Sequence, residues 1–117
     1  MGFLTTHVLD TANGKPASGL RLELFQILDG RQNFVTEQTT NTDGRCDQPI
    51  AADEVFISGT YQLEFHVGEY FQGKGMNVED PAFLNVVPIR FGIASPDEHY
   101  HVPLLVSPYS YSTYRGS

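Results

Sequence analysis

The chain has 117 residues, 40% of them hydrophobic and 12% aromatic, with no tryptophan, which is the size of one domain with a sizeable core and too little for two. Seven Lys and Arg stand against fourteen Asp and Glu, a formal net charge of -7. With no basic run, the chain is a poor match for nucleic acid or an anionic membrane, since both are bound through clustered cations.

Residues 1–117 are therefore expected to form a single domain. Phe3-Leu4-Thr5-Thr6-His7-Val8-Leu9-Asp10 reads as a first strand. The N-terminus lacks the basic start and long apolar stretch of a secretion signal, and no run of roughly 20 apolar residues offers a membrane span. Cys46 is the only cysteine, which leaves no intramolecular disulfide or cysteine-based zinc site and fits a reducing compartment. The expected location is the cytoplasm, or the periplasm if an export signal has been removed.

Beyond Asn13-Gly14, Leu20, Leu22 and Leu24 alternate with Arg21 and Glu23. Asp29-Gly30 follows, between Leu24-Phe25-Gln26-Ile27 and Phe34-Val35, and is the best hairpin signal. Asp43-Gly44 and Ser58-Gly59 mark further turns, because Gly supplies the positive φ that tight turns need. Tyr61, Leu63, Phe65 and Val67 then alternate with Gln62, Glu64 and His66, a clear strand that turns His66 outward to the surface. Gly68 to Gly73 is the one helical segment, with room for one or two turns. Val87, Ile89, Phe91 and Ile93 repeat the strand pattern, and Pro88 and Pro103 point to edges or bulges. Short strands between turn signals imply an all-β antiparallel sandwich or barrel.

The last twenty residues carry the most chemistry. In a strand from Glu98 to Val106, Tyr100, Val102, Leu104 and Val106 share the core face, while His99 and His101 project together from the other. Paired imidazoles at this spacing suit either metal ligation or a solvated surface pair. In the final segment Tyr109, Tyr111 and Thr113 lie on one side, where the tyrosines are expected to help fill the core. Ser112 and Tyr114 then face outward beside the histidines. His7 reads as an edge-strand histidine, and Arg45 sits just after a turn, where a side chain reaches ligands easily. Cys46 beside it is either a nucleophile activated by that cation or a small packed side chain. No nucleophile elbow, phosphate-cradling Gly-rich loop or His-Glu-x-x-His is present.

Two stretches resemble signatures of the transthyretin family. His7-Val8-Leu9-Asp10 followed by Gly14-Lys15-Pro16-Ala17 is similar to the first. Tyr100-His101-Val102-Pro103-Leu104-Leu105, running into Ser107-Pro108-Tyr109-Ser110-Tyr111-Ser112-Thr113, is similar to the second. The ending Tyr114-Arg115-Gly116-Ser117 resembles that of the enzymes within the family, the 5-hydroxyisourate hydrolases. The hormone carriers of the family have lysine in place of His7, an acidic residue near Arg45 and threonine at His101, and lack this tail.

The resemblance implies a transthyretin-like eight-stranded antiparallel β-sandwich with one short helix, Gly68–Gly73 being the candidate. It implies a homotetramer, a dimer of dimers, in which the outward faces of the first, seventh and eighth strands line a channel. On that reading a second subunit covers the face carrying Pro103, Leu105 and Tyr114. It further implies hydrolysis of 5-hydroxyisourate to 2-oxo-4-hydroxy-4-carboxy-5-ureidoimidazoline, with no metal or organic cofactor. His7 and His101 would activate water and deliver protons, Arg45 would bind the substrate's oxygens, and Tyr114, Ser112 and Ser117 would contact the substrate. Two other readings are a transthyretin-like carrier of a small planar ligand without turnover, and a metal-binding sandwich that uses His7, His99 and His101.

Overall fold

The computed structural model describes residues 2–76 and 79–116. One sheet is built from long, unbroken strands: β4 (Arg21–Leu28), β5 (Arg31–Thr39), β7 (Gly59–Phe65) and β8 (Val87–Ile93), in the order β5-β4-β7-β8 and antiparallel throughout. The predicted alternation sets its register. Leu22, Phe65 and Val87 stand side by side across three strands, as do Leu24, Leu63 and Ile89, and all six are buried in one core. Asp29 and Gly30 both take positive φ, 53° and 75°, the geometry of a two-residue turn whose twist matches the flanking strands. Pro88 lies on the exposed edge strand β8, where its missing N–H breaks no ladder.

The facing sheet is interrupted. β1 (Phe3–Thr5) and β2 (Val8–Asp10) are halves of one strand, and β9 (His99–His101) and β10 (Leu104–Val106) are halves of another. β1 runs between β9 and the two-residue β6 (Ala51–Ala52), while β2 runs between β10 and β3 (Lys15–Pro16); β11 (Tyr111–Thr113) forms the far edge on β10. Joining the halves gives four main strands here and eight in the two sheets, with β3 as a short addition. The antiparallel expectation holds except at the centre of this sheet, where β1 and β9, and β2 and β10, pair in parallel. Leu4, Val8, Tyr100, Leu104 and Val106 close the core from this side.

The helix α1 (Val67–Gly73) follows β7 directly and buries Val67, Gly68, Tyr70 and Phe71. The Tyr70 hydroxyl donates to buried Asp10 Oδ2 at 2.8 Å, which ties the helix to β2. Among the described residues no helix is long and apolar enough to cross a membrane.

Three expectations need correction. Tyr109 and Tyr111 do not enter the core: they are 62% and 44% exposed, because β11 is a three-residue edge strand over a core already closed by Leu104 and Val106. Pro103 is buried and not part of an exposed face, since the chain breaks between β9 and β10 and turns Val102, Pro103 and Leu104 inward in succession. His66 is half-buried and not a free surface residue. Its Nε2 lies 2.6 Å from Glu23 Oε1, and Arg21 Nη2 lies 3.2 Å from its Nδ1.

Candidate active site

The two breaks lie side by side and make the site. From Phe3 to Asp10 burial alternates without a slip, so Leu4, Thr6, Val8 and Asp10 face inward while Thr5 and His7 project from the opposite face. The parallel register places His99 beside Phe3 and His101 beside Thr5. It resumes with Val8 beside Leu104, so Pro103, which has no N–H, stands opposite His7. The gap is closed by Val102 N donating to the Thr5 carbonyl (2.9 Å), Leu104 N to the His7 carbonyl (3.0 Å) and Thr6 Oγ1 to the Val102 carbonyl (2.6 Å).

The turn after β5 delivers the cation. Asn41 Oδ1 accepts hydrogen bonds from Asp43 N (2.9 Å) and Arg45 N (3.2 Å), and Asn41 N donates to the Arg45 carbonyl (2.7 Å). Val8 N donates to the Gly44 carbonyl at 2.8 Å, which docks this loop on the strand one residue from His7. Gly44 has φ 76°, and a Cβ there would run into the Val8 carbonyl and come within 3.1 Å of Pro16 Cβ. Only glycine fits both constraints.

Arg45, His99 and His101 line a cavity of about 300 Å³ with Thr5, Thr6, Cys46 and Gln48. His7 stands beside it, close enough to Arg45 and His101 to feel their charge. Burial, then the Arg45 guanidinium, holds the His7 imidazole below its ordinary pKa, against an opposing pull from Asp43. Burial and Arg45 also lower His101, with smaller contributions from His99 and His7. Both rings are thus biased toward the neutral form, which can accept a proton. Cys46 behaves as the packed side chain: burial, helped by Asp47, pushes its thiol up to about 11 and removes its nucleophilic form at neutral pH.

Sequence reasoning passed over Thr5, although it lies two residues before His7 and so shares its face. Its Oγ1 is 2.6 Å from His99 Nε2 and 2.8 Å from His101 Nδ1. His99 also stacks on Phe3, with centroids 4.2 Å apart and planes at 18°. Among the described residues, no three His, Cys, Asp or Glu side chains are grouped to hold a metal ion.

The tail returns to the site. Gly116 bridges to His101, its N–H donating to the His101 carbonyl at 2.8 Å, and a Cβ on Gly116 would sit 2.5 Å from His101 Cδ2. Arg115 lies outside the cavity lining and acts as a clamp. Its guanidinium sits 4.1 Å above the Tyr100 ring and donates to Glu98 Oε1 at 3.0 Å. Ser112 pairs with Leu105, and Tyr114 is 60% exposed; neither lines the cavity within one chain. Ser117 lies outside the described residues.

The profile of the HIUase/Transthyretin family matches residues 4–116. A relative from Pseudomonas aeruginosa, named 5-hydroxyisourate hydrolase, is 55% identical over 117 residues, covering 100% of this chain and 93% of its own. The structure of Klebsiella pneumoniae 5-hydroxyisourate hydrolase matches with a TM-score of 0.83 at 32% identity, covering 100% of both chains. Sea bream transthyretin in complex with thyroxine matches with a TM-score of 0.86 at 28% identity, covering 97% of this chain and 93% of that one. With the profile spanning both breaks and the tail that returns to them, the chain belongs to the HIUase/Transthyretin family.

Proposed function

We propose that this protein is a hydrolase that opens the six-membered ring of 5-hydroxyisourate to give 2-oxo-4-hydroxy-4-carboxy-5-ureidoimidazoline. The observation that carries the reading is a cavity lined by Arg45 and His101, from separate segments, with His7 near enough to share charge effects with both and each imidazole biased toward neutrality. Ring opening needs a base to take a proton from water, a cation for the oxyanion and an acid for the departing nitrogen. A neutral histidine suits the first and, once protonated, the last. Arg45 presents a planar fork of donors to the substrate's oxygens and stabilises the charge that develops there.

The reading extends to assembly. Four copies, paired as a dimer of dimers, would cover the face that carries the site. Exposed Tyr114 and half-buried Leu105, which is paired with Ser112 on that face, support this. Ser112, Tyr114 and Ser117 would then meet the substrate at the mouth of the shared channel. Generating 5-hydroxyisourate with urate oxidase and following its ultraviolet decay tests the activity. Acceleration over the spontaneous rate is expected, and none at any protein concentration would overturn the proposal; a carrier would bind the compound without consuming it.

A further inference from the structure

We propose that Thr5 is a positioning residue whose hydroxyl joins His99 and His101 into one proton relay, setting which nitrogen of His101 carries its hydrogen. The chemistry of this inference rests on the hydrolase reading above; the contact itself rests on geometry. Oγ1 lies within hydrogen-bond distance of both rings, at 2.6 and 2.8 Å. A hydroxyl has one hydrogen to donate, so between two neutral imidazoles it donates to one ring and accepts from the other. Only two arrangements satisfy all three groups. In one, His101 Nδ1–H donates to Thr5, Thr5 donates to His99 Nε2, and His101 Nε2 bears a lone pair. In the other, His99 Nε2–H donates to Thr5, Thr5 donates to His101 Nδ1, and His101 Nε2 bears the hydrogen.

These are the base and acid forms that hydrolysis needs in turn. Because Nδ1 is committed to Thr5, Nε2 is the nitrogen of His101 left for the reaction. When Nε2 takes a proton from water, the Nδ1 proton passes to Oγ1 and the hydroxyl proton passes to His99 Nε2. His99, which is exposed, then releases one proton to solvent. In the second half His101 Nε2–H gives its proton to the departing nitrogen, Nδ1 takes the Thr5 hydroxyl proton and Oγ1 takes the proton of His99 Nε2. His99 takes one proton back from solvent, so Thr5 ends each cycle as a neutral hydroxyl.

The parts are held for this. Thr5 is β-branched and stiff at χ1, and its backbone is fixed by the register with His101 and by Val102 N. Phe3 holds the His99 plane by stacking, and the Gly116 backbone packs against the His101 ring.

The test compares Thr5→Val, which keeps the shape and removes the hydroxyl, with Thr5→Ser, which keeps the hydroxyl. In steady-state turnover of 5-hydroxyisourate, Thr5→Val is expected to lose roughly tenfold or more in kcat with KM little changed, and Thr5→Ser to stay near wild type. Long-range proton–nitrogen correlation spectra should show His101 with a different tautomer balance in Thr5→Val than in wild type and Thr5→Ser, because the bond at one ring nitrogen sets the proton on the other. Wild-type kcat and an unchanged tautomer in Thr5→Val, or equal losses in both variants, overturn the relay. His99→Gln gives a second route that leaves Thr5 in place: a fall in kcat reversed by added imidazole supports the relay, and an unchanged kcat counts against it. Failure of the hydrolase reading is separate, because wild type itself would then show no turnover while the tautomer comparison still decides the contact.

Discussion

The two sheets of this sandwich obey opposite rules. In β5-β4-β7-β8 every neighbour runs antiparallel along a long register, shifted once where β5 bulges opposite Leu24 and Phe25, and the side chains at its centre serve the core. In the facing sheet the two central strands run parallel, and each is cut for two residues at the same level. Thr6–His7 and Val102–Pro103 are those residues, and the cavity opens beside them. One sheet supplies rigidity through repetition. The other interrupts repetition, and the chemistry sits where the ladder stops.

The strongest attack on this contrast is Leu63→Ala at the centre of the regular sheet, where Leu63 is fully buried. It should cost about 2–5 kcal/mol in denaturant unfolding while leaving kcat of the folded protein nearly unchanged. Alanine at His7, Arg45 or His101 should do the reverse, cutting kcat/KM roughly 10²-fold or more with unfolding shifted by less than about 1 kcal/mol. Full activity in all three variants with the fold intact would dissolve the division of labour. Gly44→Ala lies on the seam and should damage both. Its left-handed φ and the crowding at the Val8 carbonyl put its cost at about 1–3 kcal/mol, and displacing the loop moves Arg45. A variant with wild-type stability and activity would show that the loop is not pinned as described.

The smallest effect is a change of pH dependence. His7 and His101 both titrate below the ordinary value of about 6.5, so activity should persist below that pH and fall as the rings protonate. Arg45 lowers both, so Arg45→Ala should move the acid limb of residual activity to higher pH. The same shifts make stability fall as pH drops from about 6.5 through the lowered values, since the unfolded chain binds the protons more readily. A rate profile that does not move in Arg45→Ala would remove the cation from the electrostatics of the pair.

The regular sheet was readable because its information is local. Leu22, Leu24, Leu63 and Ile89 announce their faces by alternation, and Asp29-Gly30 specifies its own turn. Alternation also put His99 and His101 on one non-core face, as the structure has it. It failed where a strand ends or breaks. Pro103 goes inward because β9 stops before it, and Tyr109 and Tyr111 stay out because β11 is a short edge. His66 sits on the outward face that alternation gave it, but Glu23 and Arg21 from the neighbouring strand cover it. The roles expected of His7, Arg45 and His101 came from family resemblance. Their convergence depends on a loop docking through Gly44, which no period in the sequence encodes.

The parallel pairing of β1 with β9 has a consequence for how the molecule comes into being. Thr5 and His99 are 94 residues apart in the chain, and closing a loop of that length costs about 4 kcal/mol of chain entropy from its length dependence alone. No local event recovers that cost, since parallel partners cannot nucleate from a hairpin. The hairpin of β4 and β5 can form early, whereas the Thr5–His99–His101 cluster waits for the long loop to close. On refolding, turnover should therefore return with the last phase of structure formation, so that activity measures a finished fold and not a half-built one.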